Sequence, residues 1–341
     1  MERKGILAGG NFIVDVVKMI DLWPPIESLA NIRHQYHSNG GGAYNLLKDL
    51  VAMQVGFPLE AAGLVGNDHW GQWIRHDCLT HGIDVQQLQM ADDATTSYTD
   101  VMTLESNGKR TFFHHRGANA LLDCAHFHLT KSRARIFHLA YILLLDRLDH
   151  EPTDGGSKAA LLLQEASEAG FITSADLVSV HDNRFTRLVL AALPWVDYLF
   201  LNEFEAEKIT GISISHNGAV SIVRAMEACE WLLQQGLRKW VLLHFPEGAI
   251  ALSANGEWLF QGSVLLPHQH IAGTVGAGDA FAAGVLASVH EHKSMQEALQ
   301  LGVCAAAACL THATCSGGVM PIASCVKLGN DFGFRSITVD H

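Results

Sequence analysis

The run Gly273-Thr274-Val275-Gly276-Ala277-Gly278-Asp279 sets two glycines directly before an acid that opens a helical pattern. Neither Gly276 nor Gly278 carries a Cβ, so the backbone there can come close to a ligand. The first N–H groups of a helix have no partner inside it and attract anions. A carboxylate at that point can take a proton from a hydroxyl while the N–H groups hold a phosphate. That arrangement suits phosphoryl transfer to an alcohol, with Asp279 as base and the Gly276, Ala277 and Gly278 backbone as anion site. The same run also reads as a plain glycine turn with an N-terminal aspartate cap, so other parts of the chain have to agree.

Three further constellations do so. Asp15 follows the first strand, and Asn45 stands just inside a helix that opens after Asn39-Gly40-Gly41-Gly42. The glycines let a polyol lie against the backbone, and Asp15 and Asn45 supply acceptors and a donor for its hydroxyls; a flexible loop capped by Asp15 is the alternative. Gly63-Leu64-Val65-Gly66-Asn67-Asp68 ends a strand and begins a helix, with Asp68 as its cap, and is read as architecture. Asn202-Glu203-Phe204-Glu205 also follows a strand, and residues three apart share one side of a helical turn. One acid and one amide suit magnesium, which prefers oxygen ligands and keeps several waters; a helix cap favoured by the macrodipole fits equally well.

These groups need elements to hold them. Short apolar strands alternate with helical patterns, the mark of a parallel sheet covered by helices. Strands are expected at Ile6–Ala8, Ala61–Val65, Ile136–Ala140, Phe171–Ala175, Tyr198–Leu201 and Trp240–Leu243, followed by Ala249–Ser253 and Trp258–Phe260. Helices are expected over Gly42–Met53, over Ser157–Ala169 and Ala219–Gln235, each stopped by a glycine, over the stretch from Asp279 past Val289, and from the capping box Ser294–Glu297 toward His312. Asp15–His37, with Trp23-Pro24-Pro25, reads as extended chain. Ser97–Leu104 and Arg110–His114 read as a hairpin turning at Ser106-Asn107-Gly108-Lys109. Residues 1–14, 38–94 and 116–330 then form an α/β core, and residues 15–37 and 95–115 a small β lid.

Composition sets limits. The 341 residues carry a formal net charge of -12, with 48% hydrophobic and 17% charged residues. This describes a well-buried chain and disfavours a nucleic-acid or anionic-membrane surface. No apolar run nears the ~20 residues that span a bilayer, and Met1-Glu2-Arg3-Lys4 does not read as a signal sequence. Seven scattered cysteines without a CxxC pair suit the reducing cytoplasm. Two HxH pairs, His126/His128 and His268/His270, have no further ligand at metal-site spacing, while His34, His37, His114 and His115 read as solvated or lid histidines.

In their order along the chain these motifs resemble the ribokinase-like (PfkB-type) carbohydrate kinase family, from the first strand to about Pro321. Gly40-Gly41-x-x-x-Asn45, Gly63-x-x-Gly66-x-Asp68, Gly108-Lys109-Arg110-Thr111, Asn202-x-x-Glu205 and Gly276-Ala277-Gly278-Asp279 carry the resemblance. It implies a three-layer α/β/α sandwich with a β-sheet lid and an ATP-dependent kinase of a small sugar. It makes Asp279 the base, places Asp15, Gly40, Gly41 and Asn45 on the sugar, and assigns Asn202, Glu205, Gly248 and Thr274 to nucleotide and Mg2+, with Glu205 toward the metal. A homodimer through the lids is also implied.

Three departures stand out. The family usually has an acid at Gly273, where it helps form a monovalent-cation site beside the anion hole, so potassium activation does not carry over. It usually has a glycine at Phe245, where bulk would alter the nucleotide loop. Of an Asp-Pro-Asn-x-Arg run only Asp176 remains, and Ile136–Ala140 offers no acid to read ribose. Two other functions compete: a nucleoside kinase with Tyr98, Phe112 and Phe113 as base-stacking walls, and a sugar-binding regulator without activity. A phosphorylated sugar is not favoured, because Lys109 and Arg110 read as solvated hairpin charges.

Overall fold

The computed structural model describes residues 3–150, 156–216 and 219–338. In chain order the strands are β1 (Ile6–Gly10), β2 (Ile13–Ile20), β3 (Ile32–Gly40), β4 (Leu59–Gly66), β5 (Asp84–Ala91), β6 (Tyr98–Leu104), β7 (Arg110–His115) and β8 (Ile136–Ile142). They continue with β9 (Ile172–Leu177), β10 (Tyr198–Asn202), β11 (Ser215–His216), β12 (Ala219–Val220), β13 (Trp240–Phe245), β14 (Gly248–Ser253) and β15 (Trp258–Gly262). The helices are α1 (Gly42–Ala52), α2 (His69–Thr80), α3 (Lys158–Glu168), α4 (Phe185–Ala192), α5 (Glu203–Thr210), α6 (Ile222–Gln234), α7 (Ala277–His290), α8 (Met295–Leu310) and α9 (Ile322–Phe332).

The main sheet has the order β15-β14-β13-β10-β9-β8-β1-β4-β5. All its pairings are parallel except those of β14, which runs against β13 and β15. Strands covered on both faces need apolar side chains pointing both ways, and every residue of β1 and β14 is buried. Ile6 and Ala8 of β1 pack on one side with residues of α1, α2, α7 and α8, and Leu7 packs on the other with residues of α3, α4, α5 and α6. The chain is therefore a three-layer α/β/α sandwich. Strand order reverses at β1, which sends one branch to β4 and β5 and the other through β8 toward β13. Ligands of open α/β sheets bind outside the carboxyl ends of the strands at such a reversal.

A second sheet, ordered β3-β2-β6-β7, stands over that end. The segment expected as extended chain over Asp15–His37 is thus mostly two paired strands, joined across a loop that holds the two prolines. The pairing Asp15↔Thr99↔His114 puts these residues on one face, while Val16, Asp100 and Phe113 take the other. The 97–114 hairpin forms as read, with Gly108 left-handed at φ 68° in its turn.

Other boundaries moved for local reasons. Ala219 and Val220 pair with Ser215 and His216, so α6 begins at Ile222 with Ser221 as its cap. Ser157 caps α3, Ser294 and Glu297 close the foreseen capping box, and Asp68 caps α2 by accepting from the Gly71 N–H. β5, α4 and α9 have no counterpart in the sequence reading. β5 is an edge strand with glutamines at three of its eight positions, which blurs the alternation that marks a strand.

Candidate active site

Asp279 sits on the first turn of α7, with Gly276 as N-cap at φ 84° and no side chain capping the helix. A Cβ at Gly276 would lie 2.5 Å from the Cys315 carbonyl oxygen, so both its conformation and its neighbour require glycine. The Asp279 carboxylate is buried and fully engaged. Asn45 Nδ2 donates to Oδ2 at 2.8 Å, and the Tyr141 hydroxyl lies 2.7 and 2.8 Å from the two oxygens. Burial raises its pKa from 3.8 to about 6, with the Asn45 and Tyr141 hydrogen bonds opposing the rise. The group is thus mostly ionised at neutral pH and a better base than a solvated aspartate.

Asp15 faces this carboxylate from β2. Burial pushes it up to about 7, Asp279 adds to the rise, and hydrogen bonds from Cys315 and Thr99 and the charge of Arg110 hold it down. Gly40 is what lets Asp15 fit, because a Cβ there would lie 2.5 Å from the Asp15 Cγ. Gly41 is left-handed at φ 86° and its missing Cβ faces the Asn11 carbonyl at 2.7 Å. Gly42 leaves room for the Tyr141 ring, which a Cβ would meet at 2.7 Å. Asn45 is oriented in turn by Asn39, whose Nδ2 donates to Asn45 Oδ1 at 2.7 Å and to Ser316 Oγ at 2.9 Å. The structure thus brings Asp15, Gly40, Gly41, Asn45 and Asp279 into one buried cluster.

Asn202 and Glu205 lie at the carboxyl end of β10. They form a full capping box: Asn202 Oδ1 accepts from the Glu205 N–H at 2.9 Å, and Glu205 Oε2 accepts from the Asn202 N–H at 2.9 Å. Ser179 Oγ joins them, donating to Glu205 Oε1 at 2.8 Å and accepting from Asn202 Nδ2 at 2.9 Å. Burial raises Glu205 to about 7. Asp176, at the end of β9, is held well above the carboxylate range by burial and by the charges of Asp279 and Glu205. His244, at the end of β13, lies against the start of α7, where a Gly278 Cβ would sit 3.2 Å from its Cε1. Burial lowers this histidine to about 4, so the ring is neutral.

Two of the nucleotide-side candidates look different in space. Thr274 is exposed in the loop before α7. Gly248 lies in the β13–β14 hairpin, where a Cβ would lie 2.3 Å from the Gln261 carbonyl oxygen, so packing alone requires a glycine there. Side chains alternate along a strand, and Phe245 packs into the core on the far side of the sheet from α7. The bulk at Phe245 therefore does not press on the Gly276–Gly278 turn.

Several residues of this cluster went unread in the sequence. Tyr141 follows the end of the Ile136–Ala140 pattern, and the cue was its place at the carboxyl end of a parallel strand. Asn39 and Ser316 carried no motif of their own. Arg110 corrects the expectation of a solvated hairpin charge, since its Nη2 donates to the Ala313 carbonyl at 2.8 Å. Of the proposed aromatic walls, Phe112 shares the Asp15 face of the small sheet, whereas Tyr98 and Phe113 take the other face, where Phe113 stacks on Trp23. The HxH pairs have local roles: His126 Nδ1 accepts from the Asp123 N–H, and His270 packs on Phe332. Among the described residues no helix is long and apolar enough to cross a membrane.

Comparison with known proteins bears on the fold and the family. Mouse ketohexokinase is 24% identical over 304 residues, covering 89% of this chain and 94% of that protein. An ATP-dependent ribose-1-phosphate kinase of Halopiger xanaduensis is 24% identical over 86% of this chain and 88% of its own length. Ribokinase from Thermotoga maritima superposes with a TM-score of 0.78 at 17% identity, covering 96% of this chain and 99% of that one. Ribokinase from Arabidopsis thaliana, solved with ribose and ATP, gives 0.76 at 19% identity over 96% of this chain and 99% of that one; these likenesses establish a common fold. The family model for pfkB family carbohydrate kinase matches residues 11–323, and the chain belongs to that family of ATP-dependent kinases.

Proposed function

We propose that the protein transfers the γ-phosphoryl group of ATP to a hydroxyl of a small sugar or sugar-like alcohol. The observation that carries this is the buried Asp279 carboxylate on the first turn of an uncapped helix, hydrogen-bonded to Asn45 and electrostatically coupled to Asp15. Asp279 accepts the hydroxyl proton as the oxygen attacks phosphorus, and ADP leaves. The Gly276, Ala277 and Gly278 N–H groups take the charge on the transferring phosphoryl oxygens. Asp15, Gly40, Gly41 and Asn45 hold the acceptor. Thr274 and Gly248 belong to the nucleotide side in the same reading.

The oxygen-rich corner of Asn202, Ser179 and Glu205 fits a hydrated magnesium ion. Glu205 is oriented by two hydrogen bonds, and a nearby dication would ionise it. When bound, the ion neutralises phosphate charge. The small sheet acts as a lid that excludes water, which otherwise competes as acceptor. A homodimer through the lids is part of this proposal. On the loop between β2 and β3, Ile26 is 95% and Leu29 80% exposed, beside half-exposed Leu22 and Trp23, an apolar patch of the kind partners cover. Light scattering reads the assembly, and a monomer at working concentration refutes it.

The test is a coupled ADP-release screen over sugars, sugar acids, sugar phosphates and nucleosides. Phe112, exposed on the Asp15 face, justifies the nucleosides. With a verified acceptor, Asp279→Asn is expected to fall by about 10²–10⁴. Turnover at the wild-type rate would falsify the assignment. Tight sugar binding with no detectable Mg-ATP binding, read by calorimetry, would instead make the chain a binding protein.

A further inference from the structure

Gly273 stands where an acid would help hold a monovalent cation, and the space around it is already taken. A Cβ at Gly273 would lie 3.1 Å from Arg110 Nη2 and 3.1 Å from the His312 carbonyl oxygen, with Ala313 Cα at 3.4 Å. The same Nη2 donates to the Ala313 carbonyl at 2.8 Å. Carbonyl oxygens converge on this corner beside the anion turn, and a cationic group fixed on β7 already bonds one of them. Among the described residues no carboxylate forms an ion pair with Arg110. Its positive charge reaches the site, where it holds down the pKa of Asp15. A side chain at 273 would crowd this placement of Arg110 and the His312 carbonyl, and the glycine brings no carboxylate to the corner that the guanidinium occupies. The residues present therefore do not fit a bound monovalent cation.

We propose that Arg110 supplies from the lid the fixed positive charge that a monovalent ion would otherwise bring to the Gly273–Ala313 corner, making the enzyme independent of potassium. A guanidinium stays charged at every working pH and donates to carbonyl oxygens in a planar fork. Its electrostatic effect on an anion held at Gly276–Gly278 has the same sign as that of an ion. The tether adds a consequence: the charge arrives only when the lid strand is in place over the core. This inference rests on the phosphate-binding role proposed for the α7 turn.

The test compares potassium chloride with tetramethylammonium chloride at equal ionic strength. Both kcat and the Kd of Mg-ADP, the latter by calorimetry, are read for the wild type, Arg110→Met and Arg110→Lys. The wild type is expected to differ less than two-fold between the salts. Arg110→Met is expected to bind Mg-ADP at least ten-fold more weakly and to recover part of that loss with millimolar guanidinium. Arg110→Lys, which keeps the charge, is expected to fall between them and guards against a folding defect in the methionine variant. Several-fold activation of the wild type by potassium overturns the proposal. So does an Arg110→Met variant with unchanged Mg-ADP affinity, or one whose only defect is a raised KM for the acceptor. Failure to find any acceptor would count against the kinase reading alone, because the calorimetric comparison does not need one.

Discussion

Replacing Tyr141 by phenylalanine removes one hydroxyl and leaves the ring that packs against Gly42. In the native site that hydroxyl lies 2.7 and 2.8 Å from the two oxygens of Asp279 and favours the ionised form. A hydrogen bond to a charged group contributes about 1.5–3 kcal/mol. One pKa unit corresponds to about 1.4 kcal/mol, so the loss raises the Asp279 pKa by about 1 to 2 units. With the native group at about 6, the variant is expected to titrate at about 7 to 8. The acid limb of kcat/KM reports the base in the free enzyme, and it should move up by the same amount. At pH 6 the variant should be roughly ten-fold slower than the wild type, and by pH 9 the two should converge. The assay is a kcat/KM profile from pH 5 to 9 with a verified acceptor at saturating Mg-ATP. A limb that stays in place, or a loss uniform across the whole range, would show that Tyr141 does not set the ionisation of Asp279.

Further outcomes follow from the same geometry. Asp279 is raised in the folded protein, so its contribution to stability is present below about pH 4 and lost as pH climbs through about 6. Asp279→Asn should therefore gain about 1 kcal/mol on the wild type between pH 5 and pH 8 in urea unfolding, and a difference flat with pH contradicts the burial argument. Gly276→Ala forces a Cβ into left-handed backbone at φ 84° and against the Cys315 carbonyl. It should cost about 1–3 kcal/mol or more, seen as a drop in Tm. Asn202→Ala opens the capping box, costing about 1 kcal/mol, and should raise the KM for Mg-ATP while sparing that for the acceptor. Gly40→Ala pushes the Asp15 carboxylate out of place, and the acceptor KM should rise with little change in that for nucleotide.

Legibility in the sequence followed the range of the contacts. The Gly276–Asp279 turn, the Asn202–Glu205 box and the helix carrying Asn45 are set by neighbours a few residues apart, and their residue types announce them. The alternating strands and helices were equally plain, because burial on both faces leaves continuous apolar runs. Tyr141 reaches Asp279 across 138 residues, Arg110 reaches Ala313 across 203 and Asn39 reaches Ser316 across 277. Pairing at such separations depends on which strands the sheet sets side by side, and no local spacing encodes it. The capping box also shows the limit of a short motif: Asn202 and Glu205 satisfy each other as a helix cap while keeping the corner in which an ion is proposed to sit.

The residues proposed to face the acceptor are split between two separately hydrogen-bonded sheets. Asp15 and Asn39 stand on β2 and β3 of the small sheet, while Asn45, Tyr141 and Asp279 are anchored in the sandwich. Recognition and reactivity are therefore partly modular. Substitutions on the lid strands at positions other than Asn39 and Arg110 can re-tailor which molecule is admitted without touching the Asn45–Asp279 pair, so one sandwich can serve many acceptors by changing its cover.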